Sequence, residues 1–176
     1  MRIVHIKNTN NEVQKEEILQ LLMKCDNEFY PPLSERRKER FPNKNQKELL
    51  EVYLNEKDKH HHLLAYEEAT LIGYVNFMPS YDSPNIKGYE KSIHIDTTCV
   101  HPEYRSNGIA QVLYKYMESE ITKELNTQVI TRETWSLNEK QLYLYSKLGY
   151  SVLNVEKDAR GKGVDSLLYG KKVEGK

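Results

Sequence analysis

Two cysteines, Cys25 and Cys99, are all that this 176-residue chain contains. Two thiols exclude a disulfide framework and a four-thiolate zinc centre. Both lie among apolar neighbours, as packing residues in a reducing compartment do. Long apolar runs are missing too. None approaches the roughly 20 residues that a membrane-spanning helix needs. The opening Met-Arg-Ile-Val-His-Ile-Lys has no signal-peptide apolar stretch, so the cytoplasm is the expected location. Excess charge of either sign is absent, because 26 basic residues balance 26 acidic ones. A dedicated nucleic-acid binder usually shows a basic excess. Neither nucleic acid nor a membrane is therefore expected as a partner. Charge runs such as Glu35 to Arg40 are explained by a solvated helix face. Glycine is sparse, and its few occurrences miss two common nucleotide sites. Gly161-Lys162-Gly163 is followed by Val164, so no Gly-x-x-x-x-Gly-Lys-[Ser/Thr] loop exists. No Gly-x-Gly-x-x-Gly opens a first βαβ unit. His60-His61-His62 has no Cys or carboxylate at ligand spacing, and adjacent strand residues face opposite ways. It is expected to be a polar strand entrance, with no metal bound.

What is present is a clear succession of elements. Ile3, Val4 and Ile6 start a strand. Val13, Ile18, Leu21, Leu22 and Cys25 recur at helical spacing. Pro31-Pro32 then forces an extended turn. Ser34 is placed to cap a short charged helix ending near Pro42. Asn45 with Glu48 forms a capping box for a helix to about Lys57. Strands follow at His62–Tyr66 and Leu71–Met78, joined by a hairpin-length connection. Residues 80–90 read as a loop. Ser92–His101 is a β-branched strand that Pro102 ends. A helix from Asn107 carries Ile109, Val112, Leu113, Tyr116, Met117 and Ile121 on one side. A strand at Gln128–Thr134, a helix at Asn138–Leu148 stopped by Gly149, and strands near Tyr150–Glu156 and Val164–Val173 complete the chain. No internal repeat or linker interrupts it, so residues 1–176 are expected to form one domain. Strand, helix, strand around residues 92–134 implies a parallel pair with a right-handed crossover. Hairpins imply antiparallel neighbours. The fold class is α/β (α+β), a mixed central sheet with helices on both faces.

The chemistry points to Cys99-Val-His-Pro-Glu-Tyr-Arg-Ser-Asn-Gly-Ile-Ala110. Here a strand ends and a helix begins. The first turn of a helix leaves backbone N–H groups unpaired, and its dipole adds roughly half a positive charge. A pyrophosphate satisfies both. Gly108 brings the backbone close without a Cβ, Ala110 is nearly as small, and Arg105 offers charge to a phosphate. Taken alone, the stretch is equally an ordinary strand-to-helix turn.

Its residues resemble motif A of the GNAT N-acetyltransferase superfamily, [Gln/Arg]-x-x-Gly-x-[Gly/Ala], through Arg105, Gly108 and Ala110. Val100-His-Pro-Glu-Tyr is similar to that family's strand-ending Val-x-Pro-x-x. Asn138-Glu-Lys-Gln-Leu-Tyr-Leu-Tyr145-Ser-Lys-Leu-Gly149-Tyr150 resembles its motif B, Asn-x-x-Ala-x-x-x-Tyr-x-x-x-Gly-[Phe/Tyr]. Gln141 departs from the usual alanine and would narrow a cofactor channel. The element order resembles the GNAT fold over nearly the whole chain.

The resemblance implies acetyl-CoA as donor and a sheet of about seven strands, with the parallel strands 92–101 and 128–134 splayed to admit it. The N–H groups of Arg105, Ser106, Asn107, Gly108, Ile109 and Ala110 would hold the pyrophosphate. The backbone of Cys99 and Val100 would pair with the pantetheine arm, and the Val100 N–H would polarise the thioester oxygen. Asn138 would hydrogen-bond the pantetheine. As an alternative, Asn138 is an N-cap boxed with Gln141, unless Ser136 and Glu139 take that role. Tyr145 would protonate the departing thiolate, since a phenol with an ordinary pKa near 10 is protonated at neutral pH. Its alternative is core packing. Tyr143 lies on another side of the helix. His94, Asp96 and Thr98 alternate along one strand and share a face. Asp96 is the candidate general base and His94 the second candidate. Asp96 equally suits substrate binding or a bond within the sheet.

In this family the acceptor is shaped by the loops that correspond here to Asp26–Ser34 and Lys157–Gly163. Asp26 and Glu28 would attract an ammonium, and Phe29 and Tyr30 would wall a pocket; the same residues suit a plain apolar lid. The expected function is N-acetylation of a small-molecule or peptidyl amine. A non-catalytic coenzyme A-binding sensor or partner module is the alternative, and a homodimer is left open.

Overall fold

In the computed structural model of the protein, residues 1–57, 59–83 and 86–173 are described. Pro84 and Asn85 of the expected 80–90 loop lie outside them. The elements run β1 Arg2–Ile6, α1 Glu12–Cys25, a 3-10 turn Asp26–Glu28, α2 Glu35–Lys38, α3 Gln46–Asn55, β2 His61–Glu67, β3 Thr70–Tyr81 and β4 Ser92–Val100. A 3-10 turn Pro102–Tyr104 follows, then α4 Ile109–Tyr116, a π-turn Met117–Ile121, α5 Thr122–Glu124, β5 Val129–Trp135, α6 Glu139–Leu148, β6 Ser151–Glu156 and β7 Ser166–Lys172. Seven strands form a mixed sheet in the order β1-β2-β3-β4-β5-β7-β6. The parallel pair is β4 with β5, in register at Ile93↔Ile130, His94↔Thr131 and Ile95↔Arg132.

The chain groups into two compact units, residues 1–76 with 97–110, and residues 77–96 with 111–176. In the first, Ile18, Leu21 and Leu22 of α1 join Leu50, Tyr53 and Leu54 of α3 over Leu64, Tyr74 and Cys99. The expected capping box is formed: Asn45 Oδ1 accepts from the Glu48 N–H at 3.0 Å, and Glu48 Oε2 accepts from the Asn45 N–H at 2.8 Å. Ser34 does not cap α2. Its backbone is already helical and its hydroxyl donates to Asp26 at 2.5 Å. The histidine run is no polar entrance either. His60 and His62 are buried, and His62 Nδ1 lies 2.9 Å from Tyr74 Oη and 3.2 Å from Asn76 Nδ2. Burial first, and then the neighbouring histidines, pull the His62 pKa down from 6.5 to about 3.

In the second unit β7 pairs antiparallel with both β5 and β6. Burial on α4 departs from the expected stripe. Leu113, Tyr114, Met117 and Ile121 are buried, whereas Val112 is exposed and Tyr116 only partly covered. The helix widens into a π-turn only afterwards, at Met117–Ile121. Gly149 ends α6 as expected, at φ 78°, and the Tyr150 N–H closes the turn onto the Tyr145 carbonyl at 2.9 Å.

Candidate functional site

Residues 99–110, the expected donor loop, belong to the first unit. After β4, His101 receives the Glu103 N–H on Nδ1 at 3.3 Å, and Pro102–Tyr104 makes one 3-10 turn. Two residues then turn left-handed on either side of Asn107: Ser106 at φ 64° and Gly108 at φ 74°. α4 begins immediately after them at Ile109, and the first turn of a helix leaves its N–H groups unpaired. A methyl built on Gly108 would meet no heavy atom within 4 Å. That open space is what a phosphate cradle requires. The residues present therefore fit the pyrophosphate of a coenzyme.

Arg105 takes a different part from the expected one. Its guanidinium turns back into the first unit. Nε donates to the Val100 carbonyl at 3.1 Å, Nη1 meets Glu28 Oε1 at 2.5 Å, and Nη2 lies 3.6 Å from Cys25 Sγ. In this arrangement Arg105 braces the loop against the end of β4. Cys99 is buried beside Cys25. The Cys99 thiol shares its hydrogen with the Cys25 sulfur, which lowers the Cys25 pKa and, with burial, raises that of Cys99 well above the thiol range. Lys24 Nζ lies 2.7 Å from His101 Nε2. Burial of His101, aided by that ammonium, keeps its pKa below the usual value.

The other anticipated residues belong to the second unit. His94 is buried on β4, with Nδ1 3.0 Å from Thr131 Oγ1 and its ring 4.4 Å from that of Tyr81. Asp96 is partly exposed, and its charge helps hold the Arg132 guanidinium protonated. Asn138 occupies the N-cap position of α6 but forms no side-chain cap. Its Nδ2 donates to Thr134 Oγ1 at 3.2 Å. The Ser136–Glu139 alternative is not formed, because Ser136 Oγ accepts from the Asp165 N–H at 3.0 Å. Gln141 Oε1 is buried with no protein partner among the described residues. A ligand amide N–H would satisfy such an acceptor.

Tyr145 is 0% exposed, whereas Tyr143 is 71% exposed. The Tyr145 hydroxyl lies 3.3 Å from Tyr114 Oη. Arg132, 3% exposed on β5, donates through Nη1 to that same Tyr114 oxygen at 2.6 Å, and its guanidinium sits 5.4 Å from the Tyr145 ring. Burial raises the Tyr145 pKa well above the phenol range, and the Arg132 charge opposes the rise. Arg132 and Tyr114 were not anticipated. The sequence signal is an arginine beside the β-branched Val129, Ile130 and Thr131 of a strand, where a buried charge demands partners.

On the acceptor side, Asp26 is buried and accepts from the Ser34 N–H at 3.1 Å, the Ser34 hydroxyl and Gln46 Nε2 at 3.1 Å. It ties the 26–34 loop to α3 and does not present a carboxylate to an ammonium. Glu28 is held by Arg105. Phe29 packs against the core of the first unit, and Tyr30 is 43% exposed. The 157–163 loop, in the second unit, is closed by Arg160 N–H to Val164 O at 3.0 Å and by Lys157 to Asp165 at 2.7 Å. No metal-holding group of three His, Cys, Asp or Glu occurs among the described residues. No helix among them is long and apolar enough to cross a membrane.

Comparison with known proteins bears on the fold and the family. Among proteins of curated function, none matches the chain. Solved structures do. An aminoglycoside 6'-acetyltransferase type Ii aligns at TM-score 0.69 and 22% identity, covering 100% of this chain and 99% of that one. An aminoglycoside 6'-N-acetyltransferase complexed with coenzyme A aligns at 0.66 and 19%, with 100% and 99% covered. The ribosomal-protein-S18-alanine N-acetyltransferase of Escherichia coli aligns at 0.66 and 10%, with 99% and 96% covered. At such identities these likenesses establish the fold. The model of the acetyltransferase (GNAT) family matches residues 16–150. The chain belongs to the acetyltransferase (GNAT) family, whose donor is acetyl-CoA.

Proposed function

We propose that residues 1–176 act as one N-acetyltransferase domain, moving the acetyl group of acetyl-CoA to a primary amine of a small molecule or peptide. The observation that carries this reading is the left-handed pair Ser106 and Gly108 set before α4, a backbone cradle with room for a pyrophosphate. Bound there, acetyl-CoA supplies an activated acetyl thioester. The N–H groups from Arg105 to Ala110 hold its phosphates. Cys99 and Val100 lend backbone groups to the pantetheine arm, with Asn138 contributing a side-chain bond. The Val100 N–H stabilises negative charge on the thioester oxygen. Asp96 takes the amine proton, directly or through water, and His94 is the second candidate for that base. Tyr145 supplies a proton to the leaving thiolate. Phe29 and Tyr30 line the acceptor side. The acetyltransferases of similar fold act on aminoglycosides and on a ribosomal-protein alanine, both amine acceptors, which supports an amine here.

A thiol-release assay with acetyl-CoA over a panel of aminoglycosides, polyamines, amino acids and N-terminal peptides tests the proposal. Amine-dependent release is expected, with stoichiometric acetylation of one amine by mass spectrometry. Binding of acetyl-CoA without release across the panel would favour a non-catalytic sensor.

A further inference from the structure

Tyr145 is enclosed completely, so the negative charge it would carry after giving up its proton finds no water. Something in the protein must replace that solvation. Two groups of the second unit stand in position to do so. Arg132 is a permanent cation, nearly as deeply buried, with its guanidinium 5.4 Å from the Tyr145 ring. Tyr114 links the two: its oxygen is 2.6 Å from Arg132 Nη1 and 3.3 Å from the Tyr145 hydroxyl.

The polarity of this chain matters. Arginine only donates, so Tyr114 must accept from it. With its oxygen engaged by a cation, the Tyr114 O–H is a strengthened donor, and Tyr145 Oη is an acceptor within reach. That orientation leaves the Tyr145 proton free to go outward. It is also the sole orientation that can serve a phenolate, which has no proton to give.

We propose that Arg132 and Tyr114 are positioning residues for the acid step, forming a donor chain Arg132 → Tyr114 → Tyr145 that stabilises the Tyr145 phenolate. The proposal rests on the reading of Tyr145 as the general acid. In the step, the Tyr145 O–H bond breaks, its electron pair stays on the phenolic oxygen, and the proton goes to the sulfur of the leaving thiolate. Over the cycle the phenolate regains a proton to match the one that the base takes from the amine, so the two transfers balance. The Tyr150 and Tyr169 rings complete the wall around Tyr145, at 5.8 and 5.1 Å, and Glu118 acts on Tyr150.

The test reads the ionisation of residue 145 in the coenzyme-free protein. Replacing Tyr145 with a difluorotyrosine brings the phenol into a measurable range, and its absorbance is titrated in the parent, in Arg132→Met and in Tyr114→Phe. The expected midpoint rises by about one pH unit or more in Arg132→Met and by a smaller amount in Tyr114→Phe. In the native Tyr145 background, kcat for amine acetylation should fall roughly tenfold or more in Arg132→Met with KM for acetyl-CoA unchanged. Arg132→Lys, which restores charge, should recover part of it. Tyr114→Phe keeps the ring in the core and carries the test if Arg132→Met does not fold. Unmoved midpoints in Arg132→Met and Tyr114→Phe overturn the proposal, as do shifted midpoints with unchanged kcat. Full turnover in Tyr145→Phe is a separate result, which removes the acid assignment itself whatever the midpoints do.

Discussion

The donor loop of the first unit is made from backbone, and the network around Tyr145 in the second is made from side chains. Between Val100 and Ala110 the proposed working parts are N–H groups, next to left-handed turns at Ser106 and Gly108 and the start of α4. Around Tyr145 they are a guanidinium and two phenols brought from β5, α4 and α6. A backbone site depends on conformation and tolerates many side chains. A buried side-chain network depends on each member, because losing one leaves another polar group without a partner. The first should therefore govern how tightly the donor binds, and the second how fast it reacts.

The largest expected effect lies in the second unit. Tyr145→Phe should lower kcat by about 100-fold or more, the usual contribution of a general acid. Coenzyme A affinity, measured by calorimetry, should stay within about twofold. A large loss of affinity instead would erase the division between the two regions.

The first unit has a buried side-chain network of its own, and it should behave as structure alone. His62 is enclosed as the neutral ring, with a folded-state pKa near 3 against 6.5 when unfolded. Between those values the unfolded chain binds more protons, so stability falls as pH is lowered below 6.5. The loss approaches ~1.4 kcal/mol per pH unit across that window. Chemical denaturation of wild type and His62→Gln between pH 7 and 4 checks it, and the variant should show a flatter profile.

Gly108→Ala tests the backbone site. Its φ of 74° costs a side chain about 1–2 kcal/mol, and the methyl would point into the open space beside the loop. Coenzyme A should bind roughly tenfold or more weakly, with kcat at saturating donor little changed. The smallest effect is expected at Asn45→Ala. Removing the capping box should lower stability by about 1 kcal/mol and leave both binding and rate alone.

The same difference explains what could be read from the sequence. A backbone site shows as spacing, and Arg105, Gly108 and Ala110 stand three and two residues apart at a strand-to-helix junction. The strands, the capping box at Asn45 and the stop at Gly149 are equally local, and the structure has them. Arg132 and Tyr114 could not be found this way. They are 18 residues apart on different elements, α4 and β5, and only the tertiary packing of the two brings them together. The apolar stripe expected on α4 includes Val112 and Tyr116 and leaves out Tyr114, whereas the fold buries Tyr114 and exposes Val112. Asp26 and Ser34 likewise differ from expectation. Each was read by its local pattern, as ammonium attractor and helix cap, while the fold spends both on a buried bond to one another.

The most direct test of the account is coenzyme A release from acetyl-CoA over an amine panel, run side by side for wild type and Tyr145→Phe, with coenzyme A affinity measured on both. The account predicts amine-dependent release by the wild type, a fall of about 100-fold in the variant, and affinities that agree within about twofold. Equal turnover in the two proteins, or tight donor binding with no release for any amine, would contradict it.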